Sequence, residues 1–395
     1  PPCALGMVAK EKKGESKEAE AGDYKIDWRK QPRRPFKRGF VPYGAEEEPA
    51  ELAKRRKAFG VEVIEDPAGE EVTPAPVDSF EETGVMPPWL LDALRDDERF
   101  EPTPLQAQAL PIAFAGQNMV AVVPPADGHA TAHLLPAIVH IEDQPPLDAE
   151  DPGPIVLVLT PTQDLAAKVA EEAISLLRHS TRSARHKGGI RAVNVSGGGT
   201  RSEKLKELTA KGAHVVVGTP KRVHDMAMKE QISLLRVTML ILDGVDKMLT
   251  LGFEAEIKAL SSWIRPERHT VLLAALWPKA LHDLASREIC YAGGLPVRFS
   301  APLKAPPAPA ASKPAKAAGK AAAAKPGAKA GAKAGAKAAA KPGAKPAAKP
   351  AAKPAAKADA EESAEAPAEA APEEIAKADA AKEEDLGVEE FPEGW

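Results

Sequence analysis

Val122-Val-Pro-Pro-Ala-Asp-Gly-His-Ala130 lies between an apolar run at 119–123 and a helix-like stretch, Leu134-Leu-Pro-Ala-Ile138. A hydrophobic strand, a tight turn and a helix together form the layout of a phosphate-binding loop. In such a loop backbone N–H groups hold the phosphates, a lysine reaches the β- and γ-phosphates, and a Ser or Thr hydroxyl binds Mg²⁺. The stretch therefore predicts an α/β domain built around a phosphate-loop turn.

The charged groups of a phosphate loop are missing from this turn. With the helix kept in register, Gly128 falls at the last glycine of the loop, His129 at the lysine and Ala130 at the hydroxyl. A shift of register does not supply the cation, because no Lys or Arg occurs between Arg99 and Lys168. The sequence has the layout of a nucleotide site without its chemistry.

Short Val, Ile and Leu runs alternate with helical patterns on both sides of this turn. The predicted strands lie at 119–123, 155–160, 190–195, 214–218, 239–243, 270–274 and 298–300. The predicted helices lie at 87–94, 102–112, 163–177, 202–211, 221–229, 254–264 and 278–286. Runs without alternation are typical of strands buried on both faces of a parallel sheet. The order predicts an α/β fold at residues 75–302, with a doubly wound, mostly parallel sheet and sites at the carboxyl ends of its strands.

Cysteine content and hydropathy exclude several protein classes. Cys3 and Cys290 give neither a disulfide framework nor a metal-binding spacing, so a reducing cytoplasm is the expected compartment. No run reaches the roughly 18 apolar residues that a membrane helix requires. The net charge of −4 averages segments of opposite sign, so it indicates no partner.

Residues 1–74 are predicted to be a disordered arm that ends in an acidic linker. Between residues 24 and 43, basic side chains such as Arg33 and Arg34 alternate with aromatic ones such as Trp28. Cations neutralise phosphates and aromatic rings stack on unpaired bases, so the arm is a candidate contact for nucleic acid. The alternative is an arm whose aromatic side chains dock on the domain.

The last part of the chain is predicted to be two disordered segments of opposite charge. Residues 303–358 are rich in Ala, Lys and Pro, with lysine at every fourth position from Lys325 to Lys357 and no acidic residue. Residues 359–395 form an acidic tail. Evenly spaced cations suit a polyanion bound with low sequence specificity. The alternative is a solubilising tail without a partner.

Seven short motifs occur in one order along the predicted strands. They are Phe80 with Pro102-Thr-Pro-Leu-Gln106, the loop at 123–130, Pro161-Thr-Gln-Asp-Leu-Ala166, Gly197-Gly-Gly199, Thr219-Pro-Lys-Arg222, Asp243-Gly-Val-Asp246 and Ala274-Ala-Leu276. In this order residues 80–302 resemble the first RecA-like domain of a DEAD-box ATP-dependent RNA helicase. The resemblance covers a little over half of the chain and implies a RecA-like P-loop NTPase fold.

The resemblance also implies two sets of site residues. Those expected at the nucleotide are Phe80, Gln106, Gly128, His129 and Asp243. Those expected at the nucleic acid are Pro161, Thr162, Gly197, Gly198, Thr219 and Arg222, in addition to Trp28, Arg33 and Arg34 of the arm.

Five positions depart from the family's catalytic pattern. They are His129 and Ala130 in the loop, Gly244 where the family has a catalytic Glu, and Ala274 and Leu276 where it has hydroxyls. The Ala/Lys/Pro-rich segment follows where the family has a second RecA-like domain. Catalysis of phosphoryl transfer depends on positioning and on stabilising charge, so we expect no catalytic residues, no bound metal and no required cofactor, with weak binding of ATP and Mg²⁺ left open.

These patterns favour a helicase-like pseudoenzyme that binds RNA or another nucleic acid through its arm and tail, within a ribonucleoprotein assembly. Two alternatives stay open. One is a protein-interaction scaffold, and the other is a residual ATP-binding sensor or a weak RNA helicase subunit. The sequence does not indicate an oligomeric state.

Overall fold

The structure is a computed structural model that describes residues 26–31, 35–44, 47–126, 128–148, 153–197, 208, 212–290 and 294–304. The strands are β1 Glu62–Glu65, β2 Met119–Val122, β3 Val156–Leu159, β4 Ala192–Asn194, β5 Val215–Gly218, β6 Met239–Asp243, β7 His269–Ala274 and β8 Val297–Ser300. The helices are α1 Pro49–Phe59, α2 Pro88–Asp96, α3 Pro104–Phe114, α4 His129–Glu142, α5 Gln163–Leu176, α6 Pro220–Met228, α7 Val245–Thr250, α8 Glu254–Ser262 and α9 Lys279–Leu284.

The described strands form one mostly parallel sheet, which confirms the predicted fold class. The strand order is β1-β8-β2-β7-β6-β3-β5-β4. The neighbours from β8 to β4 are parallel, and β1 adds an antiparallel edge in which Glu62 lies opposite Ser300. The sequence motifs follow different strands, so the parallel arrangement brings them to one edge of the sheet.

Side chains from the central strands pack on both faces of the sheet. Val156 and Val158 point into one buried cluster, whereas Leu157 and Leu159 between them point into a second. Helices α3, α4 and α5 cover the first cluster, and α6, α8 and α9 cover the second. Burial on both faces explains why these strands read as continuous apolar runs rather than alternating ones.

The folded part begins earlier than residue 75, so the prediction of disorder through residue 74 is wrong for residues 49–65. These residues form α1 and β1, and β1 pairs with β8. Leu52 is the buried residue of α1, and Val63 that of β1. One buried side chain per element leaves no hydrophobic period in the sequence, because the elements lie at the edge of the domain.

Part of the predicted nucleic-acid arm packs against the domain. The Phe36 ring lies edge-on to His140 with ring centroids 5.4 Å apart, and the Arg265 guanidinium lies 4.9 Å from the centre of the same ring. The backbone N–H of Phe40 donates to the Phe114 carbonyl. For these two aromatic residues the docking alternative holds, and both contact the amino-terminal edge of the sheet.

Several predicted features lie partly or wholly outside the described residues. Trp28 is described and half-buried, whereas Arg33, Arg34 and Gly198 are outside. The predicted helix at 202–211 is outside except for Leu208, and the two tail segments are outside from residue 305 onward. In the described part of the chain, none of the helices has the length and apolar character needed to cross a bilayer.

Candidate nucleotide cleft and nucleic-acid face

A cleft of about 580 Å³ opens at the carboxyl ends of β2, β7, β6 and β3. It brings together the phosphate loop, the start of α5, the turn after β6 and the turn after β7. Its lining residues are Val123, Pro125, Ala126, His129, Pro161, Thr162, Asp164, Leu165, Lys168, Asp243, Gly244, Asp246, Lys247, Thr250, Leu273, Ala274 and Ala275. This is the position that the sequence predicts for a nucleotide.

The loop ends in a glycine turn and keeps the N–H groups at the start of α4, but it lacks other donors of a phosphate site. Gly128 has a φ of 91° and caps the start of α4, a conformation that suits glycine. A Cβ there would lie 3.2 Å from the Gln106 side-chain nitrogen, so the position is also sterically restricted. Pro124 and Pro125 carry no N–H group, and Ala130 has no hydroxyl. The turn therefore offers a phosphate few hydrogen bonds.

His129 does not replace the missing lysine as a fixed charge. Burial lowers the pKa of His129 below its ordinary value, and the neighbouring Asp243 and the Pro124 carbonyl oppose that change only in part. A histidine with a lowered pKa is neutral near pH 7. The strongest positive group of a phosphate loop is thus absent from this cleft.

Asp243 is buried and is paired with a histidine. Its side chain lies at the end of β6, with the residue only 4% exposed. Asp243 Oδ2 lies 3.4 Å from Nε2 of His133, which is fully buried. The next residue, Gly244, has a φ of 81° and is the N-cap of α7. Because glycine has no side chain, no carboxylate faces the cleft from this position.

The turns after β6 and β7 are linked by a hydrogen bond. The backbone N–H of Leu276 donates to Asp246 Oδ2 over 3.3 Å. Asp246 thus acts as a structural acceptor. Ala274 is buried, whereas Leu276 is 70% exposed and presents an apolar side chain at this edge.

Gln106 and Phe80, which are expected at the nucleotide, make contacts within the protein. Gln106 Oε1 accepts from the Thr103 backbone N–H over 3.1 Å, and Gln106 Nε2 donates to the Gly128 carbonyl over 3.1 Å. Together with the Thr103 hydroxyl this forms a capping box at the start of α3. Phe80 is 2% exposed and packs in the core. Neither residue is among those that line the cleft.

These residues do not fit Mg²⁺-bound nucleotide. Three carboxylates line the cleft, Asp164, Asp243 and Asp246, against two ammonium groups, Lys168 and Lys247. Carboxylates repel the phosphates of a nucleotide, and Ala130 provides no hydroxyl for Mg²⁺. Within the described part of the chain, no three His, Cys, Asp or Glu side chains are placed to hold a metal ion.

The predicted nucleic-acid residues converge at the ends of β3, β5 and β4. Thr162 is the N-cap of α5, where its hydroxyl accepts from the Leu165 N–H over 3.3 Å. A Cβ on Gly197 would lie 3.7 Å from the Cβ of Gln163, so the turn after β4 lies beside the start of α5. Pro161 leads into the same turn and is buried.

Thr219 and Arg222 complete this face at the start of α6. The Thr219 hydroxyl lies 3.3 Å from that of Ser196, and its backbone N–H also donates to Ser196 Oγ. Arg222 Nε donates to the Val195 carbonyl over 3.0 Å, which orients the guanidinium. We name Thr162, Gly197, Thr219 and Arg222 the strand-end face.

Sequence reasoning missed three features of this edge. Ser196 precedes the glycine motif and was not singled out, although a hydroxyl beside a glycine turn is a usable signal. His133 lies four residues after His129, a spacing that places both on one helix face. Lys168 and Lys247 reach the cleft from separate helices, and no local spacing connects them.

Comparison with known proteins identifies the domain. The profile of the DEAD/DEAH box helicase family matches residues 103–284. The chain is 38% identical over 242 residues to DEAD-box ATP-dependent RNA helicase 20 of Oryza sativa subsp. japonica, covering 61% of this chain and 45% of that protein. The chain contains a DEAD-box helicase domain. It is homologous to the DEAD-box RNA helicases over their N-terminal RecA-like domain.

Other relatives define the extent of the homology. ATP-dependent RNA helicase DBP2 of Vanderwaltozyma polyspora is 40% identical over 212 residues, 54% of this chain and 46% of that protein. The DEAD-box chain thus spans about half the length of the curated relatives it matches, 45% and 46% of these two.

Solved structures support the RecA-like helicase fold. The yeast DEAD-box splicing factor Prp28 superimposes with a TM-score of 0.57 at 21% identity, over 65% of this chain and 56% of that chain. The RNA helicase Prp28 from Chaetomium thermophilum bound to ADP gives 0.54 at 25% identity, over 65% and 57%. The first similarity concerns the fold alone.

Proposed function

We propose that this DEAD-box domain binds RNA without hydrolysing ATP. The observation that carries the proposal is the contrast between the two halves of one sheet edge. In the cleft, His129, Ala130 and Gly244 replace the groups of phosphoryl transfer, whereas the strand-end face retains its hydroxyls, turn and guanidinium.

The absence of hydrolysis follows from the chemistry of phosphoryl transfer. That reaction is accelerated mainly by positioning and by fixed charges around the γ-phosphate. His129 supplies no such charge near pH 7, and Gly244 has no side chain to orient an attacking water. We expect no RNA-stimulated ATP turnover above background for the full chain; turnover that is lost with Asp243→Asn would overturn this part of the proposal.

RNA binding would use groups that suit a nucleic-acid backbone. Arg222 can pair with a phosphate, and the Thr162 and Thr219 hydroxyls and the backbone of Gly197 can contact phosphate or sugar. The lysine-rich sequence at 303–358 would add affinity of low sequence specificity. Relatives described as ATP-dependent RNA helicases favour RNA as the partner, and we propose that the chain meets it within a ribonucleoprotein assembly.

The experiment is fluorescence anisotropy of a labelled single-stranded RNA with the full chain, across a salt series. We expect a steep loss of affinity with salt, because released counterions set the slope. Arg222→Ala should weaken binding about 5–10-fold and lower the salt slope by about 1. The matched control is Arg185→Ala, which removes the same charge from an exposed site. Arg185 precedes β4 and lies at the amino-terminal ends of the strands, away from the strand-end face.

Three outcomes would redirect the assignment. If the wild-type chain does not bind RNA at low salt, the proposal fails and the scaffold alternative takes its place. If Arg222→Ala and Arg185→Ala weaken binding equally, the strand-end face is not the RNA site. A rise in melting temperature with ATP would favour the residual sensor, since a ligand stabilises the state that binds it.

A further inference from the structure

We propose that His133 replaces a metal ion as the partner of Asp243, so that a metal-independent histidine–carboxylate pair holds α4 to the end of β6. Asp243 is the first carboxylate of the motif at 243–246. This chain keeps it although Ala130 stands where a phosphate loop has its Mg²⁺-binding hydroxyl and His129 stands where it has its lysine. The inference goes beyond RNA binding, because it concerns what the retained carboxylate does.

A buried carboxylate requires a partner. Asp243 is 4% exposed at the end of a central strand, where an unpaired negative charge would be strongly unfavourable. Its neighbours along β6, Leu242 and Ile241, are fully buried and apolar. The His133 imidazole, with Nε2 3.4 Å from Asp243 Oδ2, is the partner that the structure gives it.

His133 has no other described use for its polar atoms. It lies on α4 between Ala132 and Leu134, which are buried, and is itself fully buried. Among the described residues, no hydrogen-bond partner reaches its Nδ1. A histidine in an apolar helix segment is costly unless its ring satisfies another group. The pair with Asp243 gives His133 Nε2 a partner and places a polar group beside the buried carboxylate.

Two further contacts hold the elements around Asp243. His129 lies one turn before His133 on α4 and is close enough to Asp243 to feel its charge. Gln106 holds the Gly128 carbonyl from the other side of the loop. The loop, α4 and β6 are therefore held together by side chains of the chain itself.

The test is thermal unfolding of the full chain in EDTA and in MgCl₂, with a double-mutant cycle. Wild type should show the same melting temperature in both. His133→Phe keeps the ring volume, removes the partner and should lower the melting temperature by about 5–10 °C. Asp243→Asn should also destabilise the wild-type chain, but in the His133→Phe background it should stabilise, because it removes an orphaned buried charge.

The matched control is His282→Phe, whose histidine is about half exposed and should change the melting temperature by no more than about 2 °C. If His133→Phe does not fold, His133→Gln supplies the measurement. Glutamine keeps an N–H donor, so the melting temperature of His133→Gln should be closer to that of wild type than the melting temperature of His133→Ala. Mg²⁺ should not change either value.

A wild-type melting temperature that rises with Mg²⁺ alone would overturn the proposal. Additive effects of His133→Phe and Asp243→Asn would overturn it as well, because unpaired residues do not couple. These measurements contain no RNA, so they stand or fail separately from the RNA-binding assignment.

Discussion

Gln106 illustrates how one side chain of a nucleotide motif can be committed to the fold. Its amide closes the capping box of α3 and holds the phosphate loop through the Gly128 carbonyl. Replacing it with leucine should lower the free energy of unfolding by about 2 kcal/mol, since two hydrogen bonds are lost and buried groups lose partners. Urea unfolding without nucleotide measures this change.

The control for that prediction is Gln163→Leu, at an exposed position on α5. It should stay within about 0.5 kcal/mol of wild type. If Gln106 only contacted an adenine ring, its replacement would also leave the free energy of unfolding unchanged in the absence of nucleotide.

Thr162 combines a structural and a proposed binding role in one hydroxyl. As the N-cap of α5 it accepts from the Leu165 N–H. Thr162→Ala should cost about 1 kcal/mol of folding free energy, whereas Thr162→Ser should recover most of it because it keeps the capping oxygen. Urea unfolding checks this, and an alanine variant as stable as the serine variant would contradict the capping role.

At the scale of elements, the segment at 35–44 acts as a strap across the amino-terminal edge of the sheet. Arg38 Nη2 donates to Asn118 Oδ1 over 3.1 Å. At Gly39 the backbone approaches so closely that a Cβ would lie 2.8 Å from the Ala115 carbonyl oxygen. The added Cβ of Gly39→Ala should therefore push the strap away from Ala115.

We expect Gly39→Ala to lower the free energy of unfolding by about 1–3 kcal/mol and to expose the strap to limited proteolysis. Gly188→Ala is the matched control, because a Cβ there has no heavy atom within 4 Å. Equal cleavage rates for the two variants would show that the strap is held loosely.

The whole molecule should be sensitive to acid because it buries several histidines in neutral form. Burial lowers the pKa of His140 and His214 to about 3 and that of His269 to about 4. The ordinary value in an unfolded chain is about 6.5, so the unfolded state binds more protons below that pH. The contribution of the neutral histidines to the free energy of unfolding is complete above pH 6.5. It is lost as the pH falls toward the pKa values of these histidines in the folded state.

Each such histidine should contribute a slope of up to about 1.4 kcal/mol per pH unit over this window. The measurement is urea unfolding at pH 7 and pH 5. His269→Gln should make the loss of stability between pH 7 and pH 5 smaller than in the wild-type chain. An unchanged pH dependence in His269→Gln would contradict the buried neutral state.

The sequence alone determined the central sheet and the order of its motifs. Strands buried on both faces produce apolar runs, and a glycine turn between strand and helix restricts the alternatives, so both features are local. The resemblance also predicted His129 at the position of the phosphate-loop lysine and Gly244 at that of the catalytic carboxylate, because this depends only on which residue occupies a position; the loss of hydrolysis stays a proposal.

Only the tertiary structure decided how the remaining polar groups are used. The pairing of His133 with Asp243 joins residues 110 apart, and the Gln106 contact with Gly128 joins residues 22 apart. The addition of β1 to the sheet joins the opposite ends of the folded region. No local pattern encodes such contacts, because a side chain's partner depends on which strands become neighbours when the sheet forms.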